Sequence, residues 1–236
     1  PPTRKGIRDV FYETRVLAGR DYTLKRFAEE VLGASIDPVM LGYIEKGKRF
    51  PSEPLVRRLA AGGRVLNLFA YTCSFTVAAA AGGARATTSV DLSGAALDRG
   101  RENLALNGLE GPAHTLVTAD VVAWLRRARN RGERFDLVVL DPPSFGTARG
   151  RAGFAMARDF APVAAAALAV LAPGGRLLAV TNHRQTSPAR LRRLLHDAAR
   201  AAGREVIALK DLPSGFDCPP SRDGPSPSKS ALVTVR

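Results

Sequence analysis

The hydrophobic pattern of the chain changes period once, near residue 60. Before that point apolar residues recur three and four apart, with short turns between them. Ile7, Val10, Phe11, Arg15 and Val16 make one amphipathic helix. Thr23 caps a second segment on which Leu24, Phe27, Ala28 and Val31 align, and Gly33 stops it. Asp37-Pro38 opens a third, with Leu41 and Ile44 as its stripe. Ser52, beside Pro51 and Pro54, opens a fourth that ends near Ala61. These spacings predict a small all-helical module over residues 1–61.

From residue 62 short apolar runs alternate with helical stretches. The runs fall at 64–70, 86–91, 113–120, 134–144 and 175–182, with helices predicted over 76–84, 96–109, 122–132, 160–175 and 189–203. Strands that are apolar almost without a break are buried on both faces, so the alternation predicts an α/β fold with a doubly wound, mostly parallel sheet over 62–236. The last two runs, 204–212 and 230–236, follow each other with no helix between them. That ending predicts a final antiparallel strand placed beside its predecessor.

Charge adds a partner to this picture. The 236 residues hold 35 Lys and Arg against 22 Asp and Glu, a net charge of +13, split as +4 in residues 1–60 and +9 in residues 61–236. A domain this basic is expected to meet a polyanion, with nucleic acid first. No apolar run reaches the roughly 18 residues of a membrane span. The N-terminal residues lack the apolar core of a secretory signal, and two cysteines cannot staple a scaffold, so a cytoplasmic protein with no membrane contact is expected. Three scattered histidines and two distant cysteines offer no metal-ligand spacing, so no metal is expected.

In an open α/β sheet, ligands bind outside the carboxyl ends of the strands. The first strand runs into Asn67-Leu68-Phe69-Ala70-Tyr71-Thr72-Cys73-Ser74-Phe75, a turn that is neither a G-x-G-x-x-G fingerprint nor a Walker loop. The second ends in Asp91, where a carboxylate can accept from a ribose diol. The third ends in Asp120, placed to accept from an exocyclic amine, and the fourth in Asp141-Pro142-Pro143-Ser144-Phe145. Two consecutive prolines fix two φ angles and remove two donors, which suits a rigid loop at a substrate edge. An acid ending an apolar run is costly unless it is used. Together the four strand ends describe a nucleoside pocket.

On these residues the chain resembles the class I S-adenosylmethionine-dependent methyltransferases, and more narrowly the RlmI/RlmK-type enzymes that methylate bases of large-subunit ribosomal RNA. The resemblance is carried by VLNLFAYTCSFTVAAAAGGA (65–84), TTSVDLSGAALDRGRENLALNGL (87–109), FDLVVLDPPSF (135–145), LAPGGRLLAVTN (171–182) and PSKSALVTVR (227–236). It implies a Rossmann-like methyltransferase domain over 62–236 with S-adenosyl-L-methionine as cofactor. It further implies that Asn67, Phe69, Tyr71 and Thr72 surround the methionine part of that cofactor. Asp91 would hold the ribose hydroxyls, with Leu92 and Ser93 against the adenine, and Asp120 and Val121 would meet the adenine amine. Asp141, Pro142, Pro143 and Phe145 would face the methyl group and the target base. Asn103 and Asn107 are expected to brace the helix after the second strand. Cys73 stands where the resembled family has glycine, and a side chain there is expected to narrow the cofactor's approach.

Methyl transfer from a sulfonium needs an in-line nucleophile and rests on positioning. A ring nitrogen such as guanine N7 attacks without a covalent catalyst, whereas cytosine C5 needs a thiolate added to the ring. Cys218, in GFDCPPS, is the candidate thiol, and Cys73 is expected to be a small buried residue. The Asp-Pro-Pro-Ser motif lacks the Pro-Cys pair of RNA cytosine-5 enzymes, which favours 7-methylguanine over 5-methylcytosine. His183 is a candidate for phosphate or base contact, His114 and His196 are expected at the surface, and Arg149, Arg151, Arg158 and Arg184 are candidates for an RNA-facing rim.

The first sixty residues resemble a Cro/repressor-type (XRE) helix-turn-helix domain over 7–61. Its third helix, DPVMLGYIEKGKR (37–49), carries few base-reading side chains, so weak DNA binding is expected there. RNA, above all ribosomal RNA, is the expected partner of the rest. An alternative function stands beside the enzyme: a DNA-binding transcriptional regulator with a cofactor-sensing or inactive methyltransferase fold.

Overall fold

A computed structural model describes residues 53–143, 154–212 and 228–236. The first three expected helices, the segment after Pro143 that holds Ser144, Phe145, Arg149 and Arg151, and Cys218 lie outside the described residues. The described elements run α1 (Glu53–Ala60), β1 (Arg64–Leu68), α2 (Ser74–Ala81), β2 (Ala86–Asp91), α3 (Gly94–Leu106), β3 (His114–Thr118), α4 (Val121–Asn130), β4 (Phe135–Leu140), α5 (Met156–Ala169), β5 (Leu171–Thr181), α6 (Pro188–Ala201), β6 (Val206–Leu212) and β7 (Lys229–Val235).

The strands form one sheet in the order β3-β2-β1-β4-β5-β7-β6. β1 pairs in parallel with both β2 and β4, and β7 enters antiparallel between β5 and β6. The chain therefore winds outward from β1 in one direction and from β4 in the other. Crossovers between parallel strands are right-handed, so this reversal puts the helices before β3 and those after it on opposite faces. The packing agrees: α1 meets α2 and α2 meets α3, while α4 meets α5 and α5 meets α6. The main core lies under α4, α5 and α6, where Trp124, Leu125, Phe160, Leu168 and Leu195 cover Leu66, Leu68, Val138, Leu140 and Leu177. β4 is the most enclosed strand; only Asp136 among its six residues is exposed, as its continuous apolar run requires.

Local chemistry sets the ends of these elements. Ser93, Asp120 and Ser187 cap α3, α4 and α6, each accepting an N–H from three residues on, Ala96, Ala123 and Arg190 respectively. Gly82 lets α1 lie against α2, since a Cβ there would meet the Arg57 backbone at 2.5 Å. The helix expected over 160–175 ends earlier than its pattern suggests. α5 stops at Ala169, and the Pro-Gly-Gly turn is absorbed into β5 as an irregularity in its pairing with β4. Among the described residues no helix is long and apolar enough to cross a membrane, and no three His, Cys, Asp or Glu side chains are grouped to hold a metal.

Arg204 ties the chain end to the sheet. Its guanidinium donates to the carbonyls of Arg236 (2.9 Å), Leu171 (2.9 Å) and Ala172 (3.1 Å). Removing it leaves three backbone acceptors without their donor, two of them in part-buried bonds. Arg204→Ala is expected to lower the unfolding free energy by about 1–3 kcal/mol in urea titrations. Arg204→Lys is expected to recover little, because one ammonium cannot reproduce the planar fork. A lysine variant as stable as the parent would contradict this role.

Candidate cofactor and substrate site

The order of the strands reverses between β1 and β4, and the site is built where their carboxyl ends meet those of β2 and β5. The loop leaving β1 has an unusual backbone. Phe69, Tyr71 and Cys73 all take the left-handed conformation, with φ of 56°, 47° and 63°. Residues with a Cβ hold such angles only where surrounding structure enforces them, at a cost on the order of 1–3 kcal/mol each. Four bonds enforce them here. Ala70 N–H donates to the Val90 carbonyl (3.1 Å) and Cys73 N–H to the Ala70 carbonyl (2.8 Å). Tyr71 N–H donates to Asp91 Oδ2 (2.9 Å), and Asn103 Nδ2, reaching over from α3, donates to the Thr72 carbonyl (2.9 Å).

Asp91 is the joint between the two loops. Its Oδ2 takes the Tyr71 N–H, and its Oδ1 takes the N–H of Ser93 at 2.8 Å. Each oxygen keeps a further lone pair. Beside it, Leu92 is 60% exposed and Tyr71 39%, apolar surface that a flat aromatic ligand would cover. Ser93 and Asp120 are less free than the sequence suggests. The Ser93 hydroxyl and Asp120 Oδ1 are the caps of α3 and α4. Val121 turns its side chain into the core, so only its backbone, at the first position of α4, faces outward.

Behind the loop runs a buried polar chain. Asn67 Nδ2 donates to Thr76 Oγ1 (2.9 Å), which shares a hydrogen with Ser89 Oγ (2.6 Å). Asn67 Oδ1 and Thr72 Oγ1 are buried and have no hydrogen-bond partner. Buried polar atoms are rarely left so, and both lie in the segment expected to surround the cofactor.

The structure corrects the expectation for Cys73. Its side chain does not narrow the cofactor's approach: it is fully buried and turned away, against α3. A Cβ at Gly100 would meet Cys73 Sγ at 2.5 Å, so the missing side chain at Gly100 makes the space that Cys73 fills. Burial pushes the Cys73 thiol up to about 11, against the smaller opposing pull of hydrogen bonds from Ser89 and Thr76. Gly100 and Asn103 are the residues that sequence reasoning missed as parts of the loop. A glycine in the middle of a predicted helix was the available signal, since it costs helix stability and marks a close approach. Asn103 was expected only to brace its own helix, and nothing local reveals a bond across 31 residues.

On the β4 side, Asp141 is half-buried, Pro142 buried and Pro143 exposed. The register pairs Leu140 with Leu68 on one side and Ala179 on the other, which sets Asp141-Pro142 between the loop of Phe69 and the end of β5. Phe69 meets Phe154, which precedes α5, edge to face at 5.6 Å between centroids. At the end of β5, His183 Nδ1 bonds Thr186 Oγ1 (2.9 Å), and the His183 carbonyl accepts from Lys229 Nζ (2.9 Å). Arg158 engages Asp159 through Nε and Nη2. His114, expected at the surface, is half-buried instead, with Nδ1 3.0 Å from Thr87 Oγ1.

A doubly wound sheet with an inserted antiparallel strand, and with strand-end acids beside a strained first loop, defines the Rossmann-like methyltransferase class. The chain belongs to the S-adenosylmethionine-dependent methyltransferase family, whose model matches residues 40–222. It is 42% identical over 165 residues to ribosomal RNA large subunit methyltransferase K/L of Allochromatium vinosum, a match covering 69% of this chain and 21% of that protein. It is 38% identical over 163 residues to ribosomal RNA large subunit methyltransferase I of Klebsiella pneumoniae, covering 69% and 40%. The chain thus spans between a fifth and two fifths of the length of these curated relatives. Among solved structures it is similar to SMU.776 complexed with SAH (TM-score 0.68, 30% identity, 79% of this chain and 50% of that one). It is also similar to the SAM-dependent methyltransferase of Agrobacterium tumefaciens (TM-score 0.60, 25% identity, 86% and 63%).

The residues present fit the family's cofactor. Asn67 Oδ1 and Thr72 Oγ1 are polar atoms without a partner, Asp91 keeps acceptor lone pairs, and Leu92 is an exposed apolar surface. Cys73 should behave as a structural thiol. At pH 8 a group with this acidity has about one thiolate in a thousand. In a Cys218→Ser background, a thiol reagent should therefore label Cys73 only as the protein unfolds in denaturant. Stoichiometric labelling of the native protein within minutes would contradict the placement.

Proposed function

We propose that this chain transfers a methyl group from S-adenosyl-L-methionine to a base of large-subunit ribosomal RNA, with guanine N7 favoured over cytosine C5. The observation that carries the reading is the Asp91 carboxylate, which locks the strained first loop and keeps lone pairs for a ribose. The names of the relatives, both large-subunit ribosomal RNA methyltransferases, and the basic surface support the substrate.

When bound, the cofactor supplies an electrophilic methyl group on a sulfonium. This chain's contribution is placement. Asn67, Phe69, Tyr71 and Thr72 hold the amino-acid end, Asp91 the ribose, and Leu92, Ser93, Asp120 and Val121 the adenine. Asp120 does so with the oxygen that its capping bond leaves over. Asp141, Pro142 and Pro143 form a stiff edge at which the target base is aligned, and the family resemblance assigns Phe145 to the same base. Pro142 and Pro143 contribute no N–H, so these two residues can offer the base backbone acceptors but no backbone donors. A ring nitrogen at this edge attacks in line with no general base required of the protein. Cys218 has a task only if carbon is attacked.

Titration calorimetry should show S-adenosyl-L-methionine binding to the whole chain, and Asp91→Ala should weaken it at least about thirtyfold, the loss of hydrogen bonds to a charged acceptor. No binding by the parent at millimolar cofactor would remove the basis of the reading. Incubation of undermodified large-subunit RNA with the protein and methyl-labelled cofactor, followed by nucleoside mass spectrometry, identifies the base. Cys218→Ser should retain near-normal turnover. A loss of two orders of magnitude with cofactor binding intact would assign cytosine C5 instead.

A further inference from the structure

Charge is divided unevenly between the two sides of the sheet. On the side expected to take the adenosine, residues 86–120 (β2, α3 and β3) carry two arginines against five carboxylates. On the other side, residues 171–212 and 228–236 carry ten arginines and lysines against three carboxylates. Several of the ten are committed to the fold: Arg192 to Asp211, Arg204 to three carbonyls, Arg236 to Glu205. Arg184, Arg190 and Arg193 are not. All three are exposed, and their side chains make no ion pair or hydrogen bond among the described residues.

These three arginines stand on a fixed support. Thr186 is buried and bonded to His183, whose N–H is in turn held by Thr181 Oγ1 at 3.1 Å. Lys229 of the neighbouring β7 grips the same turn through the His183 carbonyl. Ser187 caps α6, and Leu191 and Leu195 anchor it in the core. Arg190 and Arg193, three residues apart, lie on one face of α6. The same row reaches Arg200, about 15 Å along the axis, where Asp197 sits 3.7 Å away. The turn carrying Arg184 leaves β5, the strand next to the one that ends in Asp141-Pro142-Pro143.

We propose that Arg184, Arg190 and Arg193 form a phosphate track on which the RNA strand lies as it leaves the pocket, so that the nucleic acid passes over the β5–α6 side and not over α3. The assignment rests on the RNA reading above. Unpaired guanidinium groups present planar donor forks suited to phosphate oxygens, and the carboxylate-rich side repels the same backbone.

The test compares two double variants of the full chain that each remove two charges, Arg190→Gln/Arg193→Gln on α6 and Arg99→Gln/Arg101→Gln on α3. Filter binding to protein-free bacterial 23S rRNA is measured across a potassium chloride series, with melting temperature and cofactor titration as folding controls. The α6 variant should lose at least about tenfold in affinity at 100 mM salt, and its log–log salt slope should fall by about 1.5, two contacts' worth. The α3 variant should stay within about threefold, and both should bind S-adenosyl-L-methionine as the parent does. Equal losses in the two variants, or an α6 variant with unchanged affinity and slope, would overturn the track while leaving RNA methylation by the parent standing. A parent that binds no RNA would overturn both.

Discussion

A single carboxylate organises the site. Asp91 ends β2 and accepts one backbone N–H from the loop after β1 and another from its own loop, so the two turns that frame the pocket share one anchor. That anchor matters because the first loop is under strain, with three residues in left-handed conformations within five positions and no glycine among them. Such a loop keeps its shape only if other bonds hold it. Asp91 holds it from the side, Asn103 from α3, and the Gly100 gap from below through Cys73.

The sheet explains why strain is placed here. Strand order reverses between β1 and β4, which opens a crevice at their carboxyl ends and sends helices to opposite faces. On one side of it β2, α3 and β3 are rich in carboxylates, and on the other β5, α6 and β7 are rich in arginine and lysine. In the proposed reading, a nucleoside with a cationic sulfonium suits the first side and a polyanion the second. Asp141-Pro142-Pro143 lies between them, where a base from one ligand would meet a methyl group from the other.

Much of this was legible in the sequence. Continuous apolar runs specified buried parallel strands, two adjacent runs without a helix specified the antiparallel insertion, and the acids Asp91 and Asp141 stand at the carboxyl ends of β2 and β4, where the runs put them. What was not legible depends on contacts between distant residues. No glycine announces the left-handed loop, because the bonds that enforce it come from residues 20 and 31 positions away. Cys73 looked like an obstruction because only the fold shows its side chain turned toward Gly100. Ser93 and Asp120 were expected to face the adenine, and their capping bonds give them a structural task as well. The Arg204 clamp is equally silent in sequence, since its acceptors are backbone carbonyls.

The central claim is that Asp91 holds the first loop in shape before any ligand arrives. Hydrogen–deuterium exchange of the ligand-free chain, read on peptides covering residues 69–75 and 92–95, tests it most directly. In Asp91→Asn the side-chain oxygen can still accept from one N–H, but the amide nitrogen faces the other as a donor. Exchange at Tyr71 or Ser93 should therefore quicken at least about tenfold, the loss of a bond to a charged acceptor, while β4 stays as protected as in the parent. Identical exchange in the two proteins over residues 69–75 and 92–95 would contradict the account.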